Sequence, residues 1–182
     1  MNYAIYRLID VPRDDKGRIH KRLKTFWDDE AETRGIDFRT AVGCYVFSIG
    51  AGRGELPWYA GLAEKGFGQE CFTVHKRELL NGILQSRERG KLNLTLLVKL
   101  TPKKKPAKPS KVRLNKKANR ASDIRFLEQQ LIAHCYRRNE QLLNIANTRY
   151  LKDMVVPGLL NTPRGKPAAE TRELLSLLGL DD

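Results

Sequence analysis

The stretch from Gly43 to Gly61 places the tightest limit on what this chain can become. Gly43-Cys44-Tyr45-Val46-Phe47-Ser48-Ile49 and Trp58-Tyr59-Ala60-Gly61 are apolar, aromatic and β-branched runs of strand length. Between them lie Gly50, Gly52, Gly54 and Pro57, residues that turn a chain rather than extend it. Together they predict a β-hairpin with Tyr45 and Tyr59 on neighbouring strands. Strands favour aromatic residues, so a pair of tyrosines in a hairpin needs no explanation beyond sheet packing.

The flanking sequence supplies elements for such a hairpin to pack against. Tyr3 to Val11 alternates apolar and polar residues up to Pro12 and reads as a strand or short extended arm. Ile19, Leu23, Phe26 and Trp27 recur at helical spacing before Gly35, which predicts a helix over Ile19 to Arg34 beside the hairpin. After a loop from Leu62 to Gly68, a helix is expected from about Gln69 to Ser86, with Phe72, Leu79, Leu80, Ile83 and Leu84 inward. The apolar run Leu92 to Leu100 follows as a buried central strand.

Ser122 opens a further helix, Asp123 to about Arg138, with Asp123 near its positive end. Ile124, Leu127, Leu131, Ile132 and Cys135 share one face of it, and Glu128 falls inside that face. An ionised carboxylate in an apolar stripe is costly unless paired or bound to a metal. Both solutions stay open for Glu128: a cation, or an ion pair with Arg125 or a basic residue of the sheet. A last helix is expected over Ala168 to Leu180, with Leu174, Leu175, Leu177 and Leu178 on its packed side.

Length and charge set the outer bounds. A chain of 182 residues suits one domain with terminal extensions. Its net charge of +13 favours a polyanionic partner, nucleic acid before an anionic membrane surface. The excess is local, because Lys103, Lys104, Lys105, Lys108, Lys111, Arg113, Lys116, Lys117 and Arg120 fall in 18 residues without an acidic one. Pro106 and Pro109 oppose regular structure there, so residues 103–120 read as a solvated, flexible insertion. Three cysteines without C-x-x-C spacing suggest buried thiols rather than a disulfide framework or a zinc knuckle. With no secretory signal and no run of about 18 apolar residues, a cytoplasmic or otherwise intracellular protein without a membrane partner is expected.

Gly43-Cys44-Tyr45, followed fourteen residues later by Tyr59-Ala60-Gly61, resembles the signature of the GIY-YIG nuclease superfamily. The glutamate helix around Phe126-Leu127-Glu128-Gln129 and the asparagine of Leu142-Leu143-Asn144, sixteen residues beyond Glu128, continue the resemblance in order and element type over Val42 to Asn144. It implies a small α/β domain with a central three-stranded sheet flanked by helices, residues 42–144 as the core, and 1–41 and 145–182 as packed extensions. It also implies a phosphodiesterase. Tyr45 would activate or orient water, Tyr59 would contact the nucleophile or phosphate, Glu128 would hold one Mg²⁺ or Mn²⁺, and Gly43, Gly61 and Asn144 would support the site.

One departure is chemically large. The resemblance places a phosphate-clamping arginine where Cys71 stands, and a thiol cannot make that charged, forked contact. Lys65, His75, Lys76 and Arg77 are the neighbouring substitutes, with Lys65 and His75 taken into the candidate site. The expected function is a metal-dependent endonuclease acting on DNA rather than RNA. The alternative is a catalytically degenerate nucleic-acid-binding module on the same scaffold, and an RNA- or ribosome-associated protein using the basic insertion alone is a third.

Overall fold

The computed structural model describes residues 2–20, 23–51, 54–86, 90–100, 122–144, 155–157 and 165–179. Contacts divide the chain into Met1–Asn144 and Ile145–Asp182, which are described separately. The first unit is built on strand β4, Lys91–Lys99, whose Leu92, Leu94, Leu96 and Val98 are fully buried while the residues between them are not. This period of two is what a strand with one fully packed face requires.

Four antiparallel strands form the sheet, in the order β1-β4-β2-β3. β2 (Gly43–Ala51) and β3 (Gly54–Ala63) are the expected hairpin, with Tyr45 opposite Gly61 and Phe47 opposite Tyr59. The expectation of three strands is corrected by β1, Tyr3–Asp10, which pairs along β4. The amino-terminal segment therefore belongs to the sheet rather than resting on it. The register of β1 shifts between Tyr6 and Ile9, where Leu8 has a φ of 57°. That irregularity returns Ile9 to the core while Leu8 stays exposed.

One sheet face carries the main core. Helix α1, Lys24–Arg34, brings Phe26 and Trp27 to it, and Gly35 ends the helix in the left-handed conformation. The helix is shorter than expected because Ile19 lies in a bridge with Arg13. The helix expected over Gln69 to Ser86 is two: α2, Phe67–Glu70, and α3, Val74–Ser86. The loop expected from Leu62 also starts late, since β3 continues to Ala63. Phe72, in the break between α2 and α3, has its ring centroid 5.5 Å from that of Phe26 and 5.4 Å from that of Phe47. The break lets this aromatic turn inward between α1 and the sheet.

Helix α4, Ser122–Arg138, covers the other face. Ile124, Leu127 and Leu131 meet Val42, Cys44, Leu62 and Leu97, while Ile132 and Cys135 meet Val46, Ala60 and Leu142. Its first turn is anchored by Asp123, which pairs with Lys99 at 2.8 Å and accepts the Tyr3 hydroxyl at 2.9 Å. All three cysteines are free and buried, as expected. The second unit contains α5, Ala169–Leu177, on which Thr171 is buried. Leu174 and Leu175 are half-buried, but Leu177 and Leu178 are exposed, which corrects the wider packed side expected for this helix. Four leucines in five positions span more of a helix surface than one contact can cover. Five helices are present among the described residues.

Gly43 has no room for a side chain: a Cβ there would overlap the Leu97 carbonyl oxygen across the β2–β4 pair. Gly82, in α3, faces open space. Gly43→Ala should therefore lower unfolding free energy by about 3 kcal/mol, and Gly82→Ala should raise it by about 1 kcal/mol, both read from urea denaturation midpoints.

Candidate active site

The site begins at an edge. Among the described residues β3 has only β2 beside it in the sheet, so alternate backbone groups along its outer side need partners from elsewhere. Leu143 donates its backbone N–H to the Trp58 carbonyl at 2.8 Å, and the Asn144 side-chain amide donates to the Ala60 carbonyl at 2.6 Å. Two residues further on, the Leu62 backbone N–H favours the charged form of the Glu128 carboxylate. Asn139 closes the bulged part of the strand by donating to the Pro57 carbonyl at 2.7 Å. Glu128 and Asn144 are thus held on one strand edge.

From the opposite sheet face come the two phenols. Tyr45 is fully buried, and its ring lies within 13° of parallel to that of Tyr59, with centroids 6.1 Å apart. Gly61 makes this possible. A Cβ on it would stand 2.7 Å from the Tyr45 hydroxyl oxygen and 2.9 Å from a Tyr59 ring carbon. Sequence position and geometry agree here: Tyr45 pairs with Gly61 across the strands and folds over the space its missing side chain leaves.

Lys76 completes the cluster. Its ammonium lies 5.3 Å from the Tyr45 ring centroid and 5.9 Å from that of Tyr59, within the range of cation–π attraction. It donates to the Glu70 carbonyl at 2.6 Å, which also accepts the Tyr45 hydroxyl at 3.4 Å. Glu70 is the last residue of α2, where a helix leaves carbonyls without intrahelical partners and favours cations. Cys71 follows it, fully buried.

Burial opposes ionisation throughout. It pushes the Glu128 carboxyl above its ordinary range, a shift that the Leu62 N–H and then Lys76 partly offset. It raises the Tyr45 and Tyr59 phenols, and the negative field of Glu128 adds to the shift, most clearly at Tyr59. Lys76 is lowered by desolvation and partly restored by Cys71, Glu70 and Glu128. The Cys71 thiol stays high, so it carries no charge near neutral pH.

The expected site residues fall into two groups. Tyr45, Tyr59, Glu128, Gly61 and Asn144 converge, while Gly43 seats β2 against β4. His75 is exposed on α3, and Lys65 is exposed with its backbone N–H held by the Glu70 carboxylate. The pairing of Arg125 with Glu128 is replaced by one with Glu64, at 3.0 Å. The nine basic residues from Lys103 to Arg120 lie outside the described residues. Lys76 was one of several possible substitutes for the arginine, and an unbroken helix would have hidden its place. The readable signal was Thr73 immediately before Val74, a residue type that starts helices.

Among the described residues no group of three or more His, Cys, Asp or Glu gathers to hold a metal, and no helix is long and apolar enough to cross a membrane. Glu128 offers a carboxylate to a cation near the phenols. That fits Mg²⁺, which keeps several waters and takes one or two carboxylates together with substrate phosphates. Comparison with family models, curated proteins and solved structures finds no match to this chain.

A raised phenol is stabilised in its protonated form by folding. The unfolded chain loses its phenolic protons near pH 10 while the folded chain keeps them, so stability is complete below that pH and falls as pH rises beyond it. Urea unfolding at a series of pH values should show this decline, and Tyr45→Phe should flatten it. The same variant should lose about 1 kcal/mol near neutral pH, through the missing hydroxyl contacts.

Proposed function

We propose that the chain is a GIY-YIG-type phosphodiesterase, a divalent-metal-dependent endonuclease acting on DNA. The observation that carries this reading is the meeting of one half-buried carboxylate, Glu128, with two phenols and an ammonium at the β3 edge. These groups come from separate parts of the chain, and packing alone calls for none of their polar atoms. The +13 net charge, with nine cations in residues 103–120, supports a polyanionic substrate.

Each residue then has a distinct task. Tyr45, held as a neutral phenol by burial, orients the attacking water through its hydroxyl rather than removing a proton from it. Tyr59 is the less buried phenol and faces the nucleophile or the phosphate. Glu128 holds the cation, its carboxylate aimed by the Leu62 N–H. Mg²⁺ or Mn²⁺ bound there supplies Lewis-acid stabilisation of the charge that develops on the scissile phosphate. Asn144 keeps β3 in place two residues from Leu62.

A second reading has its own observation. Cys71 is buried and uncharged where the resemblance puts an arginine, which favours a binding module without catalysis. Plasmid and linear duplex DNA incubated with Mg²⁺ or Mn²⁺ separate the two. Under the hydrolytic reading, Glu128→Gln should lower cleavage at least about 10³-fold while DNA affinity stays within twofold. The variant should also melt higher than the parent in EDTA, because a desolvated charge is removed, and should lose the upward shift that Mn²⁺ gives the parent. Undiminished cleavage by Glu128→Gln excludes this mechanism. Binding without cleavage by the parent, under any divalent ion, selects the second reading.

A further inference from the structure

The phosphate-binding cation has no obvious owner in this sequence, and the packing of α2 against α3 supplies one. Lys76 is half-buried, with its stem inside the cluster and its ammonium between the Glu70 carbonyl and the faces of Tyr45 and Tyr59. An ammonium has three hydrogens to donate. The described residues give it one close acceptor, the Glu70 carbonyl, and the ring faces contribute attraction without a lone pair. Glu128 acts on it through its field, yet its carboxylate is directed at the Leu62 N–H.

Three of the other candidate positions lie away from the phenols. Cys71 is sealed in the core, and Lys65 and His75 lie on the exposed side. The break between α2 and α3 matters here. An unbroken helix would set residues 71 and 75 on one face, whereas restarting at Val74 leaves His75 outward and brings Lys76 to the phenols.

We propose that Lys76 is the residue of this site that contacts the scissile phosphate, substituting from α3 for the arginine that would otherwise stand at Cys71. The proposal rests on the hydrolytic reading for the identity of the reacting phosphate, while the contact itself can be tested without cleavage. Lysine binds phosphate as a point charge rather than as a fork. One ion pair should therefore be gained or lost as a unit.

The test uses the full chain carrying Lys76→Met or Lys76→Arg, each also combined with Glu128→Gln so that binding is measured without hydrolysis. Lys76→Met keeps the stem and removes a desolvated charge, and its melting temperature at or above that of the parent establishes that it folds. Affinity for a short duplex DNA is measured across NaCl concentrations in EDTA. Lys76→Met should reduce the magnitude of the slope of log affinity against log salt by about 0.9, the value for one phosphate contact, and Lys76→Arg should keep the slope. Cleavage with Mn²⁺ should fall about 10²-fold in Lys76→Met.

An unchanged slope in Lys76→Met overturns the proposal, whatever happens to the rate. A reduced slope with full cleavage also overturns it, since the contact would then lie away from the reacting phosphate. If the parent never cleaves, the hydrolytic reading fails by itself and the slope alone decides the role of Lys76.

Discussion

The outer edge of β3 is the constraint from which the rest of the site follows. Where α4 and the segment after it lie over that edge, each outward carbonyl and N–H needs a protein partner or water. Trp58, Ala60 and Leu62 present such groups at successive alternate positions, and Leu143, Asn144 and Glu128 answer them. Satisfying this edge fixes the carboxylate in place. These bonds seal the strand against pairing with another chain, and the field of Glu128 reaches the phenols of the opposite face.

What meets there is electrostatically unfavourable group by group and tolerable only together. Desolvation raises Glu128 and lowers Lys76, while each favours the charged form of the other. The phenols remain neutral and offer hydroxyls and ring faces instead of charge. Such desolvated charges seldom repay their burial, so apolar side chains of similar volume would cost the fold little.

Much of this was legible in the sequence, for identifiable reasons. The hairpin followed from two strand-like runs and their glycines, and the pairing of Tyr45 with Gly61 follows from its register. Glu128 stood out because the helical period of α4 put a charge among Ile124, Leu127 and Leu131. The fourth strand was visible only as an extended segment, since Tyr3 to Val11 carries no mark of which strand it joins. Lys76 was legible only as one of several substitutes, because Phe72 continues a helical pattern through a stretch that the structure breaks. Tertiary packing decides that break: Phe72 gains the rings of Phe26, Trp27 and Phe47 as neighbours, which a continuous period would not provide.

The basic run and the Glu128 helix are also separable along the chain. The basic run of residues 103–120 lies between β4 and α4, the helix that carries Glu128. Lys99 at the end of β4 and Asp123 at the start of α4 are joined by a 2.8 Å ion pair, and Tyr3 of β1 donates to the same carboxylate. The two ends of the intervening sequence are therefore pinned close together. Loop-closure entropy grows only as the logarithm of loop length, so the segment beyond this clamp can vary in length and charge with little effect on α4. Glu128, more than a turn beyond Asp123, keeps its place through the packing of Ile124 and Leu127. The position of Glu128 therefore does not depend on the charge carried between the two ends of the clamp.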